Sequence, residues 1–474
     1  MLLSEMFSGA PDVEINGICI DSRKAKPGDL FFCLKGLETD GHKFAEMACE
    51  KGAAAVVHSD SLKKRKGVAY VTAEDTNREL NRVCDLFFGY PSHKMTVFGV
   101  TGTNGKTTTT SIIRDVYNKP CGYMGTIAVR YGNVSRIPSL TTPDALEIHG
   151  NLKEMADYGM EAVAMEVSSH GLAMGRTDSV DFDIAVFTNL TYDHLDYHKT
   201  MDQYFEAKKR LFTQMKPAGT AVLNADDISF EELKKAASCR VVTYGMVHDA
   251  DYRAEDVSLF VNGSAFTLVY GGKRYKVETN LSAKYNLYNL LGAIAAMHEA
   301  GMEIEDMLPK LSRISQIDGR MEIIDKGQDF TVIVDYAHTP DGFEKVFEYA
   351  KEVCENGRIY SVFGCAGKRD KVKRKVLGQI AAKYCDRVFV TEEDPRDETA
   401  EGIAEMILSG MEEDRGVFIS DRYQAIEAAI ETAESGDCVL ILGKGDEPYM
   451  YYEDGRHPWM GDHKAAAKAL EKLK

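Results

Sequence analysis

The sequence predicts an α/β protein of three successive domains: a small α/β domain, a central domain whose mostly parallel sheet carries antiparallel hairpins, and a Rossmann-like third domain. Three observations lead there. A strand, a Gly/Thr-rich loop and a helix follow one another from residue 95 to 117. From residue 331 to 442 short apolar runs alternate with helical stretches, the pattern of a parallel, doubly wound sheet. The 474 residues also exceed what one ordinary core organises, so two to four domains are expected.

The first domain is placed at residues 1–90. Apolar runs at 17–20 and 30–34 are punctuated by Asp21-Ser22-Arg23, Pro27-Gly28-Asp29 and Gly36, a helix is expected over 43–51, and a strand over 53–57. Pro91-Ser92 marks the boundary. The central domain, residues 91–317, opens with the strand 95–100, and the helix after its loop carries Ile112, Ile113, Val116 and Tyr117. Further strands are expected at 161–165 and 184–187. Alternation over 258–279, broken at Val261-Asn262-Gly263 and Gly271-Gly272, predicts antiparallel hairpins. Residues 283–298 read as a helix, and Gly319-Arg320 lies in a linker region. The third domain, residues 318–474, has expected strands at 331–334, 358–363, 387–390, 417–419 and 438–442. Helices are expected at 342–354, 371–385 and 423–433.

Composition narrows the function classes. Apolar residues make up 44% and charged residues 28%, the balance of a globular protein. The net charge of −17 argues against a nucleic-acid surface, though a local basic cleft can still take an anionic ligand. Residues 1–10 lack the pattern of a signal peptide. No run nears the ~20 apolar residues of a membrane span, so no membrane insertion is expected. Ten scattered cysteines without a C-x-x-C pair fit a reducing, cytoplasmic setting and offer no thiolate metal site.

The strongest local signal is Thr101-Gly-Thr-Asn-Gly-Lys-Thr-Thr-Thr-Thr110. Between a strand and a helix, its backbone N–H groups can hold phosphate oxygens. Lys106 can reach β/γ-phosphates and the Thr107 hydroxyl can bind Mg²⁺. The strict P-loop template fails at its first glycine, which would fall at Val100; Gly102 stands in the loop instead. ATP is the expected ligand. Downstream, Glu166-Val-Ser-Ser-His170 and Asn189-Leu-Thr-Tyr-Asp-His194, with Asp196 and His198 beyond, each follow an apolar strand, and strand ends are where ligands gather in open α/β sheets. Lys208 falls inside the helical stripe of Tyr204, Phe205, Leu211 and Phe212, while Lys209 and Arg210 face away. An ammonium there either snorkels out or is a functional lysine beside a metal.

Taken in order, TGTNGKTT, EVSSH, TNLTYDHLDYH, YFEAKKRLF, LNADD, NLYNLLGAIAA, DGRME, VDYAHTPD and VFGCAGKRD resemble the Mur ligases, cytoplasmic ATP-dependent amide-forming enzymes of peptidoglycan stem-peptide synthesis. The likeness extends from Asp21-Ser22-Arg23 to Gly443–Glu447 and is strongest to members that add the third residue to UDP-N-acetylmuramoyl-L-alanyl-D-glutamate. It implies a P-loop ATPase-like central domain in which Gly102, Thr103, Asn104, Gly105, Lys106, Thr107 and Thr108 bind ATP. Asn286 and Asn289 would lie beside adenine, with Arg320 and Asp335 as interdomain ATP contacts. Thr107, Glu166 and His194 would serve Mg²⁺, together with Lys208 as a carbamate formed with CO₂. Ser22, Arg23 and His42 would hold the UDP-sugar, and Thr141, Thr142, Ser168 and Arg176 the muramoyl-dipeptide. Met174 departs from the family's usual glutamine.

The resemblance further implies an acyl phosphate on the D-glutamate γ-carboxylate, opened by an amine, with His194 or His338 able to move protons. Arg369, Arg396, Gly443 and Glu447 match the amino-acid site. There the usual D-N-P-R signature reads Glu393-Asp394-Pro395-Arg396. Arg396 favours meso-diaminopimelate and Asp394 favours L-lysine or ornithine; the two could also pair with each other. The expectation leans to diaminopimelate. Small-molecule substrates and a monomer are expected. The competing readings are a folylpolyglutamate synthase-like ligase and a non-catalytic ATP-binding scaffold.

Overall fold

A computed structural model describes residues 1–36, 39–354, 356–412 and 414–473. Three sheets follow the chain: four strands between Gly17 and Thr72, eleven between Thr96 and Thr279, and six between Glu322 and Leu442. The expected fold class is therefore the observed one.

The first sheet is parallel throughout and runs in chain order. The helix expected over 43–51 is split. A 3₁₀ turn spans Gly41–Phe44, and the α-helix is only Ala45–Glu50. Asp40 explains the start, since its carboxylate accepts the His42 N–H and caps the turn.

In the central sheet the strand Thr96–Thr101 lies between Ile184–Phe187 and Ala162–Glu166, all parallel. Apart from Thr96 their residues are buried on both faces, which is why they read as continuous apolar runs rather than alternations. The helices Lys106–Val116 and Lys284–Glu299 cover one face and share a core with it. The expected hairpins are Tyr252–Phe260, Gly263–Tyr270 and Lys273–Thr279, antiparallel in register. At the far edge Cys121–Met124, Val129–Tyr131 and Val134–Arg136 add strands that the sequence pattern did not announce.

The third sheet places Thr331–Asp335 beside Cys438–Leu442, then Ile359–Phe363, Arg387–Val390 and Gly416–Phe418, all parallel, with Glu322–Ile323 antiparallel at one edge. Thr339, Thr399 and Asp421 cap the helices that follow these strands. A separate hairpin, Tyr449–Tyr452 with Gly455–Pro458, comes after the last parallel strand. Carboxyl ends of the central and third sheets meet around one cavity of about 800 Å³. Among the described residues no helix is long and apolar enough to cross a membrane.

Candidate active site

The loop after Thr96–Thr101 is shaped by neighbours that leave no room for side chains. A Cβ on Gly102 would lie 1.8 Å from Thr188 Oγ1, and one on Gly105 would lie 2.1 Å from Asn289 Oδ1. Gly105 also has φ +89° as it opens the helix Lys106–Val116, a conformation that glycine adopts without strain. Thr188 Oγ1 donates to Asn104 O (2.6 Å), and Asn104 N–H donates to Asn189 Oδ1 (3.0 Å). Thr188 and Asn189 follow the adjacent strand, so sheet order itself clamps the loop.

Two lysines converge on it. Lys106 Nζ donates to Gly102 O (2.9 Å) and Thr103 O (2.8 Å); Lys208 Nζ donates to the same Gly102 O (2.7 Å). Neither forms an ion pair with a carboxylate among the described residues. Burial lowers the Lys106 amine's affinity for its proton. Burial and then the charge of Lys106 push Lys208 well below the ordinary lysine range. Lys208 is buried on the helix Met201–Thr213 with Tyr204, Phe205, Leu211 and Phe212, so it does not snorkel. An unpaired buried ammonium costs several kcal/mol, so burial works against the charged form of Lys208.

Glu166 ends the strand on the other side of the loop. It is fully buried; its Oε1 accepts from Tyr123 OH (2.6 Å) and Thr126 N–H (3.0 Å), and its Oε2 from Thr126 Oγ1 (3.0 Å). Thr126 Oγ1 lies 3.0 Å from Thr141 Oγ1, Thr142 Oγ1 donates to Glu166 O (2.9 Å), and Arg176 Nη1 donates to Thr142 O (2.8 Å). Ser168 N–H donates to Thr142 Oγ1 (2.9 Å). This ties the expected dipeptide-binding residues to the Glu166 strand end. His194 has φ +54° and its Nε2 lies 3.2 Å from Asp193 Oδ2. Burial takes its imidazole down to about 3, so it is neutral. Asp193 is itself penalised by burial, but His194, His338 and Lys373 outweigh this and hold its carboxyl low.

From the opposite side, Arg320 extends Nη2 to 3.5 Å from Thr107 Oγ1 and stacks its guanidinium 4.3 Å from the Tyr336 ring centroid. Asp335 accepts the N–H groups of Met321 (2.8 Å) and Ala337 (2.7 Å), fixing the turn after its strand. His338 Nδ1 lies 2.9 Å from Tyr336 O; burial lowers the ring to about 4, which leaves Nε2 as an acceptor. Asn286 and Asn289 stack on the buried face of the helix Lys284–Glu299, with Asn289 Nδ2 3.2 Å from Asn286 Oδ1.

Three of the four other parallel strand ends of the third-domain sheet, those of Ile359–Phe363, Arg387–Val390 and Cys438–Leu442, supply the remaining wall. Asp394 and Arg396 do not pair with each other. Asp394 Oδ1 accepts Lys444 Nζ and Tyr451 N–H, both at 2.9 Å, and Lys444 also pairs with Glu447. Arg396 donates Nη1 to Gly367 O (2.6 Å), its N–H goes to Tyr451 O (3.0 Å), and no carboxylate pairs with it among the described residues. Burial pushes Glu393 up to about 7, and its Oε2 has no hydrogen-bond partner beside Gly443. Arg369 stands 3.9 Å from Asp196 Oδ2 across the cavity.

The cavity wall includes every expected site residue except Gly102, Ser22, Arg23 and His42. Gly102 lies directly behind it. The other three are in the first domain: Ser22 is buried with Oγ 3.4 Å from Met47 Sδ, and Arg23 is exposed beside Asp21. His42 Nδ1 lies 2.6 Å from Asp40 Oδ1, while Nε2 accepts Ser59 N–H (3.0 Å) and Asp60 N–H (3.2 Å). Asp40, His42 and Asp60 therefore cluster as a metal site would, but the imidazole has no lone pair to spare. Tyr123, Thr126, Thr188, Asn189, Asp193 and Lys444 were not foreseen. Thr188, Asn189 and Asp193 stood inside the motif TNLTYDHLDYH and Lys444 inside Gly443–Glu447, and those positions were the available signal.

The Mur ligase family, catalytic domain, matches residues 14–93, the Mur ligase middle domain residues 100–297, and the Mur ligase, glutamate ligase domain, residues 319–445. The UDP-N-acetylmuramoyl-L-alanyl-D-glutamate--2,6-diaminopimelate ligase of Syntrophomonas wolfei is 41% identical, covering 99% of this chain and 97% of its own. That of Geobacillus kaustophilus is 41% identical over 98% and 96%. A solved structure of a ligase with the same name superposes with a TM-score of 0.71 at 31% identity, covering 100% and 99%. Folylpolyglutamate synthase from Mycobacterium tuberculosis shares the fold at 16% identity, with a TM-score of 0.63 over 83% of this chain and 94% of that one.

Proposed function

The chain belongs to the Mur ligase family, and on that premise we propose that it is the ATP-dependent ligase joining meso-diaminopimelate to UDP-N-acetylmuramoyl-L-alanyl-D-glutamate. One observation carries the reading. A single cavity sets Lys106 and Lys208, both without carboxylate partners, opposite Arg396, also without one. Lys106 with the loop amides suits phosphate, the buried Lys208 suits modification to a metal ligand, and the Arg396 wall suits a carboxylate.

A carboxylate is a poor electrophile, so the reaction requires its activation as an acyl phosphate, which an amine then opens with loss of phosphate. The chain's part is positioning and charge neutralisation. Lys106 would exchange its two loop carbonyls for phosphate oxygens, assisted by the amides of residues 103–108 and by Arg320. Asn286 and Asn289 would flank the base. Thr107, Glu166, His194 and Asp193 all line the cavity and would offer mainly oxygen donors to a hard divalent cation, although their ligand atoms are not gathered into one coordination sphere here. Glu166 Oε1 already accepts two hydrogen bonds, while Oε2 keeps a lone pair beyond the one bond it accepts. Mg²⁺ held there would neutralise charge during phosphoryl transfer. Lys208, driven towards its neutral amine, is suited to forming a carbamate with CO₂, which would replace an unwelcome cation by an oxygen ligand. His338, whose Nδ1 is engaged by Tyr336 O and whose Nε2 is left as an acceptor, or His194 would take a proton from the incoming amine.

Thr141, Thr142, Ser168 and Arg176 would hold the dipeptide, and Ser22, Arg23 and His42 the UDP-sugar, dividing the work among domains 1–90, 91–317 and 318–474. His42 would act by shaping its turn, since its ring is engaged. Gly443 and Glu447 would face the amino acid, with Arg369. Lys444 bridges Asp394 and Glu447, so the substituted acid is engaged by a cation of the protein rather than left free for the ammonium of lysine, although the trio keeps one net negative charge. Arg396 then decides for a distal carboxylate. The reading includes a monomer acting in the cytoplasm, where the substrates of this reaction are made.

Purified protein should release ADP only when both the UDP-muramoyl-dipeptide and an amino acid are supplied. ADP release that ignores the dipeptide, or turnover that requires a folate, would refute the proposal.

A further inference from the structure

Asp341 lies in the first turn of the helix Pro340–Val353, which Thr339 caps. Its Oδ2 accepts Asn104 Nδ2 at 2.9 Å, Lys345 Nζ at 2.8 Å and Thr191 Oγ1 at 3.4 Å. An acid in a first helical turn is favourable on dipole grounds alone. That role asks nothing of Asn104, which is 237 residues away in the chain and sits in the phosphate loop. Asn104 is itself immobilised. Its N–H donates to Asn189 Oδ1, and its C=O accepts Thr188 Oγ1 and Asn189 Nδ2. A side chain held on both backbone flanks must move with the loop. A second crossing, Tyr192 OH to Asp370 Oδ2 at 2.9 Å, lies on the segment that carries Arg369.

We propose that Asp341 is a positioning residue that latches the third domain onto the phosphate loop. The conformation of the loop is thereby passed to the domain that presents Arg369 and Arg396, so nucleotide binding prepares the amino-acid site. The contact uses one carboxylate oxygen shared by a loop amide and a lysine of its own helix. Lys345 pairs with that carboxylate and holds its aim while Asn104 supplies the connection between domains. The latch goes beyond the ligase assignment and does not depend on which amine is added.

Small-angle X-ray scattering of the full chain with saturating ATP and no amino acid reads domain docking directly. The D341A variant should be more extended than the unaltered protein. D341N, which keeps an acceptor oxygen for Asn104, should remain compact. A D341A curve that superposes on the unaltered protein's would overturn the proposal. Nucleotide binding by D341A, measured without other substrates, guards against simple unfolding. In turnover, D341A should raise the amino-acid KM about tenfold while changing the ATP KM less than about twofold, the size of effect expected of one coupled contact. At saturating ATP, the N104A/D341A pair should be no worse in amino-acid KM than N104A alone; strictly additive losses would also overturn the latch. Should the unaltered protein show no ligase turnover, the ligase reading fails, and the scattering comparison still decides the latch.

Discussion

At the edge of the central sheet, the cations facing the cavity are left without acids. Lys106 and Lys208 share the Gly102 carbonyl, and the loop beneath them is held by threonines and asparagines. At the edge of the third-domain sheet most cations are already matched. Lys444 pairs with Asp394 and Glu447, Arg374 with Glu398, and the fully buried Arg422 with Asp462. Arg396, like Arg320 and Lys373, has no carboxylate partner among the described residues; its guanidinium donates to the Gly367 carbonyl. Since a buried unpaired charge is costly, what remains unpaired in each region shows what its ligand must bring. One region calls for several phosphate oxygens, the other for a single carboxylate.

Four substitutions would break or sharpen this contrast. The largest effect is expected at Lys208. K208A should reduce kcat by about a thousandfold or more, the scale set by loss of groups that stabilise a transition state. A short carboxylic acid added to the assay should restore part of it, and full activity without it would remove Lys208 from the chemistry. R396K keeps the charge but loses the planar fork, and should raise the diaminopimelate KM by about thirtyfold or more. L-Lysine turnover should barely change.

The third test concerns stability. Burial raises Glu393 to about 7 in the folded protein, against an ordinary value of about 4.3. Folding therefore favours its protonated form. Its stabilising contribution is complete below pH ~4 and is lost as pH rises through about 7. E393Q should thus be more stable than the unaltered protein at pH 8, by about 3–4 kcal/mol, and equal to it near pH 4. Urea midpoints at the two pH values measure this, and a parallel offset at both would contradict it. The smallest effect is expected from D394N, whose amide oxygen can still accept Lys444 and Tyr451. Selectivity for diaminopimelate over lysine should move by less than about threefold; a tenfold swing would make Asp394 a direct reader of substrate.

The contrast also governs how much could be read in advance. The phosphate loop was legible because its residues are consecutive and its strand–loop–helix context leaves a periodic trace. Lys208 was legible because a charge interrupts a helical stripe. Glu166 and His194 followed apolar strands, and parallel topology brings such strand ends together. By contrast, the Asp394–Lys444 pair spans 50 residues and leaves no local pattern. Its effect, cancelling the extra acid in the Glu393–Arg396 segment, needed three dimensions. Tyr123 and Thr126 were missed because the strand Cys121–Met124 is short and begins at a sheet edge without alternation. Asp341 could be read only as a helix-start acid; nothing in its neighbours points to Asn104.

The central claim is that this ligase selects an amino acid by its distal carboxylate through Arg396. The most direct measurement offers the purified enzyme meso-diaminopimelate, L-lysine and L-ornithine separately with ATP and the UDP-muramoyl-dipeptide, and compares kcat/KM. The account predicts that diaminopimelate exceeds the other two by about a hundredfold, the worth of a well-formed guanidinium–carboxylate pair. Equal or higher kcat/KM for lysine or ornithine would contradict it.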